Sequence, residues 1–125
     1  IDFGTATTFD VVNDYKYLGG AIAPGVNLSL KNLIDGASLI PIVNLKKISK
    51  VVGKNTESAV RSGFYWGYAG LINSMIKLIF KETKKKYKII LTGGLSNLFK
   101  NSLAYNCILD KDLTIKGLVK VLKKL

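Results

Sequence analysis

The sequence contains no histidine, a single cysteine (Cys107) and a single arginine (Arg61). A protein-only zinc site needs several imidazole or thiolate ligands, and Ser-His or Cys-His nucleophiles need an imidazole base. Both are therefore excluded within this chain. One cysteine cannot form an internal disulfide, which suits a reducing, cytoplasmic setting. Acidic residues are also few, 8 against 19 basic, leaving a net charge of +11. Long apolar runs are missing: none approaches the ~20 residues of a membrane helix, and no signal-peptide pattern is visible, so no membrane partner is expected. The chain opens with Ile1-Asp2 inside what reads as a strand, without an initiator methionine. It is expected to be a fragment whose missing upstream part holds half of any active site.

What is present suits one folded domain. At 125 residues, 48% apolar and 22% charged, the chain is long enough to bury roughly two-thirds of its unfolded surface and is not disordered. The positive charge is almost all lysine, much of it in Lys84-Lys85-Lys86, Lys88 and the tail Lys120, Lys123, Lys124. Lysine is a hydrated point charge and a poor bidentate reader of bases or phosphates. A solvated surface that mildly attracts anionic nucleotides is favoured over a nucleic-acid partner.

The first 24 residues read as two or three strands. Thr7 to Val12 is β-branched and aromatic, Asn13-Asp14 suits a turn, and Tyr15 to Ile22 runs back. Gly19-Gly20 predicts a bulge or a close backbone approach. A helix is expected over Val26 to Asp35 with Gly36 as its stop, then a Pro-containing connection over Ile40 to Ile48. Asn55 or Thr56 suits a helix N-cap, and the helix that follows is expected to reach Glu82. Ser62, Gly63, Gly67 and Gly70 in its first half would admit another element very near, within the domain or across a dimer. Ile89-Ile90-Leu91 reads as a buried strand ending in Thr92-Gly93-Gly94. A helix from Ser96, a strand near Asn106 to Leu109, and an amphipathic helix over Leu113 to Lys124 complete the order. The pattern βββ, α, α, β, α, β, α implies an α/β fold, a mixed sheet with helices on both faces.

The chemistry is concentrated in Asp2-Phe3-Gly4-Thr5-Ala6-Thr7-Thr8-Phe9-Asp10. An ordinary strand does not need such a density of small oxygen-bearing residues. A phosphate site does, because Gly admits the anion to the backbone while hydroxyls and amides donate to it. The carboxylate of Asp2 cannot bind phosphate directly and suggests a cation beside it, with a cap or turn carboxylate at a strand end as the competing reading. Thr7 and Thr8 are open between ligands and cross-strand partners, and Asp10 has no evident role. Thr92-Gly93-Gly94 closes a strand and opens a helix, where amides can face a nucleotide or simply make a tight turn. The aromatic group Phe64, Tyr65, Trp66 and Tyr68 reads as core or interface rather than a base-stacking platform.

In order along the chain, the Asp2–Asp10 motif, Gly19-Gly20-Ala21-Ile22-Ala23-Pro24-Gly25, Gly53-Lys54-Asn55-Thr56 and Thr92-Gly93-Gly94 resemble the second half of type III pantothenate kinases. The tail Asp112-Leu113-Thr114-Ile115-Lys116-Gly117-Leu118 is similar to the family's C-terminal signature. The resemblance covers essentially the whole chain. It implies an actin-like (ribonuclease H-like) domain spanning residues 1–125, the second of two around a nucleotide cleft. By that likeness Gly4 and Thr5 would contact ATP phosphate, Gly93 and Gly94 would approach the nucleotide, and Asp2 would hold a monovalent cation, potassium or ammonium. Thr56 would contact pantothenate, with an ordinary N-cap role as the competing reading.

The family's first phosphate loop, of the Asp-x-Gly-Asn-Thr type, and its general-base aspartate, in a Gly-x-Asp-Arg type motif, are absent here. The base is expected upstream of Ile1, so this chain holds no catalytic base and is expected to be inactive alone. The implied activity is ATP- and Mg2+-dependent phosphorylation of pantothenate to 4′-phosphopantothenate, the first step of coenzyme A biosynthesis, by a homodimer. The alternative is a non-catalytic regulatory or nucleic-acid-binding relative of the same family.

Overall fold

A strand of only two residues, β1 (Asp2–Phe3), lies at the centre of the sheet in a computed structural model that describes all residues 1–125. β2 (Ala6–Asn13) and β3 (Lys16–Pro24) follow, and the spatial order is β3-β2-β1-β4-β5, with β4 at Ile89–Gly93 and β5 at Cys107–Leu109. β1, β2 and β3 pair antiparallel, whereas β4 runs parallel to both β1 and β5. The sheet is therefore mixed, as expected. The β2–β3 turn is one residue later than predicted: Asp14 and Tyr15 are its central pair, with φ of 50° and 62°. Both central residues of a primed hairpin turn need positive φ, which fits the strand twist and overrides the preference for Asn at that place. The Gly19-Gly20 expectation holds. Pairing slips between Val11 and Val12, and a side chain at Gly20 would overlap the Phe9 carbonyl.

Helices α1 (Val26–Gly36), α2 (Thr56–Thr83) and α3 (Ser96–Phe99) are joined by an irregular connection over residues 37–55 and, after α3, a short 3-10 turn at Lys100–Ser102. Gly36 is the last helical residue rather than the stop. At about 1.5 Å per residue, α2 is the longest element, at about 42 Å. The core lies on one face of the sheet, where Phe3, Phe9, Ile89, Leu91 and Cys107 meet Tyr65, Ala69, Ile72 and Ile76 of α2. Phe99 stacks on both Phe3 and Tyr65, at centroid distances of 5.5 and 5.7 Å. Full burial of each such ring contributes roughly 1.5–3 kcal/mol. Of the aromatic group read as core or interface, Tyr65 is core, and Phe64, Trp66 and Tyr68 are half-buried against it.

Helices on both faces were expected, and here the structure differs. The opposite face leaves Val12, Ile22 and Ile108 exposed. Only the first turn of α4 (Leu113–Leu122) reaches a cleft lined by Asp10, Val12 and Ile90. The apolar stripe of α4 (Ile115, Leu118, Val119, Leu122) is exposed, and Lys116 ties the helix to Asp110 at 2.8 Å. An amphipathic pattern calls for a partner surface, but with one core already closed by α2 this chain supplies none. The small-residue face of α2 differs as well. Side chains added at Gly63, Gly67 or Gly70 would meet nothing within 4 Å, so no element of this chain packs there. Ser62, by contrast, is buried and donates to the Val51 carbonyl. No helix is long and apolar enough to cross a membrane.

Candidate functional site

Two motifs separated by most of the chain become neighbours because β1 and β4 are parallel. Asp2 pairs with Thr92 and Phe3 with Gly93, so both strands end at the same edge of the sheet. Gly4-Thr5 leaves one strand there, and Gly93-Gly94 leaves the other. Crevices at the C-terminal ends of parallel strands are where open α/β sheets bind ligands.

Gly93 adopts φ +91°, and a side chain there would sit 2.5 Å from Asp2 Oδ1 and 2.6 Å from the Phe3 amide nitrogen. Only glycine fits both the conformation and the space. The Ser96 hydroxyl, fully buried, donates to the Gly93 carbonyl at 2.7 Å and pins the turn. On the other side Gly25, the N-cap of α1, lies so near the loop that any side chain would overlap the Thr5 carbonyl. Tyr68 of α2 fixes this corner: its hydroxyl is 2.9 Å from Ser29 Oγ and donates to the Pro24 carbonyl at 3.1 Å. Gly4-Thr5 is thereby held between the start of α1 and the Gly93 turn, yet both residues are exposed. Gly25 and Tyr68 were not expected to support the loop. Pro24-Gly25 was legible as shape-making, but nothing in the spacing of Tyr68 pointed to that corner.

Asp2 is half-buried, and its carboxylate has no hydrogen-bond or ion-pair partner. The turn-carboxylate reading would require a backbone donor, and none reaches it. No three His, Cys, Asp or Glu side chains cluster as a metal site. A single carboxylate beside glycine backbone does not fit an all-protein divalent site. It fits a weakly held monovalent cation completed by carbonyl oxygens or by ligand. The neighbouring residues of the motif divide by face. Thr7 points into the core and is fully buried with its hydroxyl unpaired, so it is neither ligand nor surface partner. Thr8 donates to Asp10 at 3.1 Å, and Tyr17 to the same carboxylate at 3.2 Å. Asp10 thus has a structural role on the exposed face.

Thr56 is not the N-cap of α2. Asn55 is, in a capping box: its side chain accepts from the Ser58 amide at 2.8 Å while Ser58 Oγ accepts from the Asn55 amide at 3.1 Å. Gly53 lies against Ala59 and the Ser58 carbonyl carbon, closing the turn before the helix. Thr56 is exposed, with its hydroxyl uncommitted. Tyr65 packs at the Phe3–Phe99 stack, whereas Ile76, Ile79 and Phe80 lie beside the start of β4. Hence α2 runs antiparallel to β1 and β4, and Thr56 projects about 13 Å of helix beyond Tyr65, on the glycine-turn side of the sheet.

The fold and this edge define an α/β domain that gathers two glycine turns and one unpaired carboxylate at one end of its sheet. A family model for type III pantothenate kinases matches residues 1–78. The type III pantothenate kinase of Pelagibacter ubique is 61% identical over 120 residues, covering 96% of this chain and 48% of that protein. That of Cereibacter sphaeroides is 46% identical over 122 residues, again 48% of its length. A crystal structure from Campylobacter jejuni, named for a Baf family of transcriptional activators, superposes with a TM-score of 0.66 at 27% identity, covering 98% of this chain and 55% of that one. The chain belongs to the type III pantothenate kinase family, and it spans about half the length of the curated relatives it matches.

Proposed function

We propose that the complete protein transfers the γ-phosphoryl group of ATP to the 4′-hydroxyl of pantothenate, opening coenzyme A biosynthesis in the cytoplasm. The observation that carries this reading is the juxtaposition of Gly4-Thr5 and Gly93-Gly94 at one sheet edge, beside Asp2, in a chain of this family. In such transfers catalysis is mostly in-line positioning and charge neutralisation. Thr5 donates to phosphate oxygens through its exposed hydroxyl. Gly93 and Gly94 form part of the nucleotide wall, and Thr56 orients pantothenate from the start of α2. The Asp2 carboxylate would hold potassium or ammonium, which together with Mg2+ carried by ATP supplies positive charge against the phosphates. An aspartate upstream of Ile1 accepts the substrate proton. In this reading residues 1–125 are the second of two actin-like domains, and the open glycine face of α2 belongs to a homodimer interface.

The test is pantothenate-dependent ADP release by the full-length protein in potassium and then in sodium. Turnover that needs pantothenate and rises in potassium is expected, and its absence from a folded protein with intact upstream motifs would remove the kinase reading. A second reading, a regulatory or nucleic-acid-binding relative, draws on the name of the Campylobacter jejuni structure and on the net charge of +11. Loss of the upstream phosphate loop and Gly-x-Asp-Arg motif would favour it.

The two residues at the start of α2 should separate cleanly. Asn55→Ala removes the cap and is expected to cost about 1 kcal/mol in urea unfolding. Thr56→Ala is expected to change stability by less than about 0.5 kcal/mol, as at an ordinary surface site, while raising the KM for pantothenate several-fold. A stability loss from Thr56→Ala equal to that from Asn55→Ala, with KM unmoved, would return Thr56 to a purely structural role.

A further inference from the structure

Asp2, Asp10 and Asp110 project from the open face of the sheet, because strand alternation sends their neighbours Phe3, Phe9 and Leu109 to the core side. Two of the three carboxylates are satisfied within the chain. Asp10 accepts from the Thr8 hydroxyl at 3.1 Å and from Tyr17 at 3.2 Å. Asp110 accepts from Lys116 through both oxygens at 2.8 Å, and from the Asp112 amide at 3.1 Å. Asp2 has no such partner.

Strand pairing fixes what stands beside it. Asp2 lies opposite Thr8 of β2 and opposite Thr92 of β4. The Asp110 amide, donating to the Leu91 carbonyl at 2.9 Å, continues the ladder to the next strand. Thr8, Asp2, Thr92 and Asp110 therefore form one row across the sheet, about 4.8 Å apart from strand to strand. Thr8 has given its hydroxyl to Asp10. Thr92 is 5% exposed and lines the same cleft as Asp2, yet its hydroxyl makes no hydrogen bond within the chain. Buried hydroxyls are ordinarily paired. A hydroxyl and a carboxylate, neighbours in register, are thus both left open.

The chemistry of the two groups selects what joins them. An ionised carboxylate only accepts, and it repels phosphate; a hydroxyl offers lone pairs as well as a proton. A cation is the ligand that both can hold at once. One charge and one neutral oxygen suit a singly charged ion, whereas divalent ions gather more carboxylates or demand stricter geometry. We infer that Thr92 is a second protein ligand of the monovalent cation proposed at Asp2, its hydroxyl oxygen completing the site from the neighbouring strand. The inference rests on that reading of Asp2 and extends it to β4. Because Gly93 follows Thr92 directly, cation occupancy is thereby coupled to the glycine turn proposed to face the nucleotide.

The experiment uses the full-length protein and compares Thr92→Val, which keeps the branched shape but removes the oxygen, with Thr92→Ser, which keeps the oxygen. Potassium is titrated in two assays: turnover, and the rise in melting temperature without nucleotide or pantothenate, which follows binding by mass action. Thr92→Val is expected to raise the half-saturating potassium concentration about tenfold in both, the scale of one lost contact to a charged group. Thr92→Ser should leave it nearly unchanged. A Thr92→Val protein with unaltered potassium dependence would overturn the inference, as would a higher KM for ATP alone, which would make the hydroxyl a phosphate contact. Asp2→Asn is measured in parallel. If it abolishes the potassium response while Thr92→Val does not, the role of Thr92 falls and the cation site at Asp2 stands; if it leaves the response intact, both fall. In the unsubstituted protein, the methyl resonance of Thr92 is expected to shift with potassium and saturate with the thermal effect. No shift would overturn the inference even if a variant failed to fold.

Discussion

Asp2→Asn in the full-length protein is expected to reduce pantothenate-dependent turnover by about 100-fold, the scale of removing one electrostatic contact to a developing charge. Stimulation by potassium should disappear with it. The argument rests on an unpaired charge. The Asp2 carboxylate is half-buried at the end of β1, accepts no hydrogen bond and meets no lysine or arginine, although the chain carries 19 such cations. A partly desolvated carboxylate without a partner is costly unless a cation joins it. Asparagine keeps the shape and removes the charge, so thermal stability should be preserved. Parallel measurements of turnover against potassium concentration and of melting temperature check both halves. Unchanged activity and potassium dependence would remove Asp2 from the site.

Gly93→Ala is expected to be among the most destabilising single-methyl additions in the chain. The positive φ costs about 1–2 kcal/mol for a residue with a side chain. The added carbon at 2.5–2.6 Å from Asp2 Oδ1 and the Phe3 backbone adds about 1–3 kcal/mol of overpacking. Together these are a large share of the roughly 5–15 kcal/mol that stabilises a typical domain. The neighbouring Gly94→Ala is the control, because a side chain there meets nothing within 4 Å. It should leave the urea midpoint nearly unchanged, yet raise the KM for ATP by crowding the nucleotide wall. If Gly94→Ala changed neither stability nor KM, Gly94 would be a turn residue only.

The order of elements was legible from local signals. β-branched and aromatic residues marked β2, a short apolar run marked β4, a cap at Asn55 or Thr56 marked the start of α2, and helical spacing marked α1 and α4. Each depends on residues a few positions apart, which is the range over which propensity, capping and turn chemistry act. The residue types of the proposed site were legible in the sequence, and their proposed roles come from the family likeness alone. What was not legible was contact. Thr7 and Thr8 look alike in the sequence, but strand alternation buries one in the core and turns the other toward Asp10. The glycines of α2 suggested close packing, but within this chain their face is open. The amphipathic α4 promised a second layer, and its apolar stripe is exposed instead.

By itself, then, the sequence determined the α/β class, the exclusion of zinc and histidine chemistry within this chain, and the glycine- and threonine-rich stretches on which the proposed phosphate site rests. These follow from composition and short-range pattern. The tertiary structure alone decided that Asp2 stands beside Gly93 and that Gly25 and Tyr68 brace the Thr5 loop. Strand pairing joins residues some ninety positions apart, and no local propensity encodes which strands become neighbours. That choice is made by the burial of one shared core, where Phe3, Tyr65 and Phe99 can stack only if β1, α2 and α3 meet at the same place.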